Sequence, residues 1–244
     1  MSDRERVFLD QAYVLHQRSY RNTSQLLDCL SEHHGLVSLV AQGSRRAGKG
    51  QRAILQPFLL LRVSWVRRGE LGRLTHAELA ETQPSLAGRS LLAGYYLNEL
   101  LLRLLAKGDA NAALFGSYRR CLTELGSTSA VARSLRLFEL NLLEALGYGI
   151  ALDCDVDTGE PLEPDLSYRF EAERGACLHR ETGPGPEVFL GRDLIALREG
   201  RLDDEQALRA AQRLLSELLD FYLGDRPLKT RAVMRDIAGR GLAP

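Results

Sequence analysis

The chain has 244 residues, 45% hydrophobic and 26% charged, enough apolar mass to build a sizeable core, which excludes global disorder. Lys and Arg (32) balance Asp and Glu (32), so a highly charged partner must be met by a local patch and not by net charge. The most hydrophobic stretch, Leu91 to Leu105, carries Asn98, Glu99 and Arg103 and is excluded as a membrane span. The four scattered cysteines (Cys29, Cys121, Cys154, Cys177) and an N-terminus without an apolar targeting segment read as a reducing cytosol.

Residues 6 to 80 are short apolar runs broken by turn chemistry. Ala12 to His16, Ser24 to Leu30 and Leu36 to Ala41 read as strands, with His33-His34-Gly35 as a tight turn. Gly43 to Gly50 is too rich in glycine for a helix and reads as a basic loop. Ile54 to Val66 resumes the apolar pattern with Pro57 at an edge or bulge, Arg67-Arg68-Gly69 turns, and Leu71 to His76 returns. About five short strands joined by basic connections suit a small closed barrel of the oligonucleotide-binding (OB) type.

At Pro84 the period changes. Helices are predicted from Ser85 to Ala106, from near Asp109 to Leu125, and from a Ser/Thr cap among residues 127 to 129 to Leu146. Residues 150 to 191 form an irregular acidic insertion with four prolines and short strands at Ser167 to Phe170 and Val188 to Leu190. A helix follows from Asp203 or Asp204 to Gly224, and a short one after Thr230. The predicted fold is therefore α+β, with a barrel domain at 1–80 and a mainly helical domain at 81–244.

Charge is uneven along this frame. Residues 1–80 hold twelve cations against seven anions, a surplus of five on the barrel. The cations cluster at Arg18 and Arg21, at Arg45, Arg46, Lys49 and Arg52, and at Arg67, Arg68 and Arg73. Three such clusters on one small barrel point to the phosphate backbone of nucleic acid. Tyr20, between two arginines, and Trp65, before Arg67-Arg68, are placed to stack on bases, whereas Tyr13 and Phe58 read as core. A protein adapter, whose barrel binds another protein and whose arginines are merely solvated, stays open as the alternative.

Catalytic chemistry finds little support. Gly43 to Lys49 matches most of a phosphate-binding loop, but Gly50 offers no hydroxyl to magnesium and Pro57 interrupts the helix that should follow. Cys154 with Asp157 and Cys177 with His179 could supply zinc ligands, yet neither pair has the C-x-x-C spacing. No nucleophile signature surrounds any Cys or Ser. The composition predicts no enzyme.

Several strings resemble the RecO family of bacterial DNA repair proteins. Ala12 to His16, Ser24 to Asp28, Gly35 to Arg45 and Leu55 to Phe58 carry the likeness in the barrel. Gly94 to Leu101, Phe138 to Leu140, Leu146 to Gly149, Gly159 to Pro161 and Pro227 to Arg231 continue it in order. The resemblance implies an OB-fold barrel, a helical C-terminal domain and no catalytic site. It further implies binding of single- and double-stranded DNA, annealing of complementary strands, contact with the C-terminal tail of single-stranded DNA-binding protein (SSB), and loading of RecA together with RecR, in the bacterial cytoplasm at the nucleoid. Many members carry a zinc site of cysteine pairs after the Leu-Gly-Tyr string. Here only Cys154 and Cys177 remain, so no cofactor is expected and packing should hold the region. For the SSB tail, an aromatic residue with a free carboxylate, Arg119, Arg120, Arg133 and Arg136 near Leu135 and Phe138 are the expected pocket.

Overall fold

The computed structural model describes residues 5–45, 51–81, 85–127, 130–180, 185, 187–225 and 227–239. Five strands close into a barrel in the order β1-β2-β3-β5-β4: β1 (Glu5–Tyr20), β2 (Ser24–Ser31), β3 (Gly35–Ala41), β4 (Leu60–Arg67) and β5 (Leu71–Leu79). All pairings are antiparallel except β3 with β5, which run parallel over Ser38 to Val40. A single helical turn, α1 (Gln51–Ile54), lies between β3 and β4. This is the predicted OB-type barrel, and the mixed α+β class holds for the whole chain.

The barrel interior is filled by one side of each strand. Val14, Leu27, Cys29, Val37, Leu39, Leu61, Val63, Trp65 and Leu74 form its apolar core. β1 is twice as long as an ordinary strand because it serves two partners, β4 along its first half and β2 along its second. Two register shifts bend it, between Val7 and Asp10 and between Val14 and His16. At the first, Leu9 adopts φ 49 and donates its N–H to Ser64 Oγ instead of to the ladder.

The described residues form two compact units, 1–129 with 228–244, and 130–227. In the first, α2 (Gly88–Leu104), α3 (Ala112–Ser127) and α7 (Lys229–Gly239) join the barrel. The outward Tyr13 ring meets Phe115 and Tyr118 of α3 at 5.5 and 5.1 Å. Glu99 of α2 accepts from the backbone N–H groups of Lys229 and Thr230, at 3.0 and 2.9 Å, so an acid caps α7 at its positive end. Gly35 closes the β2–β3 turn at φ 62, and a Cβ there would lie 2.1 Å from the Asp109 carbonyl oxygen.

The second unit contains α4 (Val131–Ala145), a three-stranded sheet in the order β7-β6-β8, α5 (Gly191–Arg198) and α6 (Glu205–Leu223). The sheet pairs β6 (Ser167–Glu171) with β7 (Gly175–Leu178) and β8 (Val188–Leu190). The described part of the acidic insertion is thus built around a small sheet, with Tyr168, Phe170, Ala176 and Phe189 buried. Of the predicted Ser/Thr caps of α4, residues 128 and 129 lie outside the described residues and Ser127 ends α3; the helix follows Ala130, whose methyl group makes no cap hydrogen bond. Asp204 does cap α6, accepting from Ala207 N at 2.8 Å, and Gly224 ends it at φ 59.

Candidate nucleic-acid interface

Barrel closure places distant basic segments side by side. The parallel β3–β5 contact sets Arg73 beside Val40, whose other neighbour across β2 is Leu26, itself paired with Arg18 of β1. A cavity of about 520 Å³ opens there, lined by Tyr20, Arg21, Arg67, Arg68, Leu71 and Arg73 among others. Tyr20 is half-buried, with the Arg21 guanidinium 5.3 Å from its ring centroid. Arg21 sits at φ 52 in the turn that follows β1.

The cations differ in freedom. Arg67 is half-buried and held by Glu5, with contacts of 2.6 and 2.8 Å. Arg21, Arg68 and Arg73 are exposed and have no acidic partner among the described residues. Gly72 between them packs against the barrel core, where a Cβ would lie 2.7 Å from Leu39 Cδ2. The concavity thus offers several guanidinium groups, one aromatic face and a small apolar floor, the furniture of a single-strand binding groove.

The remaining predicted DNA residues distribute as follows. Arg18 and Arg45 are exposed and line a second, polar cavity of about 310 Å³. Arg46 and Lys49 lie outside the described residues; Arg52 lies in α1 with its side chain outside that set. Trp65 must be corrected. It is 1% exposed in the barrel core, 5.1 Å edge-on from the His34 ring, and cannot present a face to a base. The alternation Leu61, Val63, Trp65, with exposed Arg62 between, places it on the inner face and was readable in the sequence.

The expected tail pocket is also corrected in part. Leu135 and Phe138 are buried, and Arg136 is buried against Glu139 of the same helix at 2.6 Å, so its charge is already paired with a carboxylate. Arg133 donates to Gly200 O at 3.1 Å and lies 3.5 Å from Asp203. Arg119 makes two hydrogen bonds to Glu81, at 2.8 and 2.7 Å. Arg120 alone of the four is exposed without an acidic partner among the described residues.

Among the described residues, Cys154, Asp157, Cys177 and His179 do not gather three potential ligands around one point. Cys177 is buried on β7, and burial pushes its thiol up. Asp157 is paired with the Arg174 guanidinium at 2.7 Å, and the neighbouring Asp155 accepts from the N–H groups of Asp157 and Leu178. Among the described residues, the three potential ligands that gather closely are instead Asp10, Glu32 and His33, in the barrel.

That barrel cluster is a clamp. Asp10, buried after the first bend of β1, accepts from Ser31 Oγ, meets His33 Nδ1 at 2.6 Å and meets His34 Nδ1 at 3.2 Å. Burial opposes its ionisation, but the bonds from Ser31, His33 and His34 outweigh that and hold its carboxyl below the ordinary 3.8. His33, exposed, is raised above 6.5 first by its hydrogen bond to Asp10 and then by that residue's charge. His33 binds its proton more tightly when folded, so its contribution is complete below 6.5 and disappears as pH rises through the raised value. The Asp10 contribution is complete above 3.8 and fades as pH falls through the lowered value. The gap in melting temperature between the parent protein and Asp10→Asn is therefore expected to be widest between pH 3.8 and 6.5. Circular dichroism melts checks it; a gap still widening at about pH 8.5 contradicts the linkage.

Known proteins place this architecture. The family description "Recombination protein O N terminal" matches residues 5–83 and "Recombination protein O C terminal" matches residues 86–232. The DNA repair protein RecO of Methylococcus capsulatus is 42% identical over 233 residues, 96% of this chain and 95% of that protein. That of Nitrosococcus oceani is 43% identical over 237 residues, covering 97% and 96%. That of Coxiella burnetii is 38% identical over 232 residues, covering 94% and 99%. Matched through both its barrel and its helical part, the chain belongs to the RecO family of DNA repair proteins.

Proposed function

We propose that this RecO-family chain works in DNA repair and recombination as a non-enzymatic mediator, holding single- and double-stranded DNA on its barrel and annealing complementary strands. The observation that carries the reading is the convergence of Arg21, Arg67, Arg68 and Arg73 beside Tyr20 in one concavity. Guanidinium groups hold phosphates and leave most base edges free, which annealing requires. One aromatic face is too little to stack a strand out of pairing.

The same reading includes contact with the SSB tail, with Arg120 the available cation, and cooperation with RecR in loading RecA, in the bacterial cytoplasm at the nucleoid. It needs no metal: residues 150–191 are read as held by the packing of Phe170 and Phe189 and by the Asp155 hydrogen bonds.

The test is titration of a labelled single strand at low and high salt. Four phosphate contacts, at a slope of about −0.7 each, predict an affinity loss of about fiftyfold between roughly 50 and 200 mM salt. No binding, or binding indifferent to salt, would leave the adapter reading in its place.

A further inference from the structure

The second cavity differs from the first in chemistry. Its lining is wholly polar: Gln17, Arg18 and Ser19 of β1, Gln25 of β2, Arg45 and Gln56. Gln25 stands directly across from Ser19 in the β1–β2 pair, so the two side chains share a face, and Gln17 is the diagonal neighbour. The Arg45 N–H is tied to Thr23 O at 3.1 Å, which fixes the turn that brings the Arg45 side chain to the rim.

Three carboxamides form a relay in this cavity. Gln25 Nε2 donates to Gln17 Oε1 at 2.7 Å, and Gln17 Nε2 donates to Gln56 Oε1 at 2.9 Å. The relay leaves the far end of Gln25 unpaired. Gln25 is only 7% exposed, yet its Oε1 has no hydrogen-bond partner among the described residues. Reversing all three amides together preserves the relay and leaves a donor there instead, so in either sense one buried polar end of Gln25 lacks a partner. Buried polar groups without a partner are uncommon in folded proteins, and this side chain lines the cavity.

We propose that this cavity holds one nucleobase of a bound single strand by its hydrogen-bonding edge, with Gln25 accepting from a ring or exocyclic N–H and with Arg18 and Arg45 taking the flanking phosphates. The proposal rests on the DNA-binding reading above. A volume of about 310 Å³ is at the small end of ligand sites and suits one base, not a stacked run. Arg18 and Arg45 are exposed, with no acidic partner among the described residues. One edge held at this site leaves the rest of the strand free to pair.

The experiment compares a thymidine oligonucleotide with the same oligonucleotide carrying 3-methylthymine throughout, which keeps the phosphates and ring but loses the N3–H donor. Parent protein is expected to bind the methylated strand about five- to tenfold more weakly, and Gln25→Met, close in volume, to bind both equally, with the salt slope unchanged. Parent protein irradiated with a strand bearing 4-thiothymidine should form its adduct at Gln17, Ser19, Gln25, Arg45 or Gln56 and not at Tyr20 or Arg21 of the first concavity, a readout that does not depend on the variant's folding. Equal binding of both strands by the parent protein, a methylation penalty that persists in Gln25→Met, or adducts confined elsewhere would each overturn the base pocket while salt-sensitive binding of the unmodified strand keeps the DNA reading. If the unmodified strand does not bind, both fall.

Discussion

Changing Arg21 to Asn and Arg68 and Arg73 to Gln together is expected to weaken single-strand binding about a hundredfold at 0.1 M salt and to flatten the salt slope by about two units. The three are chosen because they are exposed and lack acidic partners among the described residues, so each phosphate contact releases counterions without first breaking an ion pair. Arg67 is left in place, since Glu5 already holds it and its removal would orphan that carboxylate. Asn is used at position 21 because the backbone there has φ 52, a region that Asn enters at little cost. The loss should be alike for unrelated sequences, as phosphate contacts carry no base information. Arg209→Gln, an exposed change on α6, is the control and should alter affinity less than about twofold. Fluorescence anisotropy across a salt series decides it: a triple variant with the parent slope removes this concavity from the binding site.

Much of the barrel was legible because its chemistry is local. Short apolar runs bounded by turn residues marked β2, β3 and β4, and the turn at His33-His34-Gly35 falls where predicted. What failed did so for identifiable reasons. The first half of β1 escaped notice because its alternation is broken by the bend at Leu9. β7 is four residues long and α5 eight, too short for either period to declare itself. α5 also begins directly at the end of β8, at Gly191, where a Cβ would lie 2.0 Å from Glu163 O, a close approach that no local pattern announces. The arginine clusters were visible as composition, but their meeting around Tyr20 depends on the parallel β3–β5 pairing, which is a long-range fact. Trp65 and Arg136 were misjudged although the sequence held the signal, the first in its alternation with Leu61 and Val63, the second in an acid three residues on at Glu139. Asn98 served only to exclude a membrane span, and the structure gives it a larger part.

Asn98→Leu is expected to lower stability by about 2 to 4 kcal/mol, and with it the melting temperature by roughly 5 to 15 °C. The bend between Val14 and His16 takes Leu15 out of the β1–β2 register, and the Asn98 carboxamide of α2 donates to its carbonyl at 2.8 Å. The other end of the amide accepts from the Tyr118 hydroxyl of α3 at 2.6 Å. Asn98 is 2% exposed, Leu15 2% and Tyr118 fully buried, so water cannot replace what the substitution removes. Leucine has the heavy-atom count and branching of asparagine, so it is the nearest apolar shape, and it deletes the polar bridge between strand and two helices. Tyr118→Phe should cost about 1 kcal/mol alone, and less in the Asn98→Leu background, because its acceptor is already gone. Urea unfolding of the four proteins measures that coupling; additive losses, or an Asn98→Leu protein within about 0.5 kcal/mol of the parent, would show that the bridge does not hold the helices to the barrel. Since Arg18 and Tyr20 lie on the same strand beyond the bend, the variant should also bind single strands normally at low temperature and lose binding only as it melts.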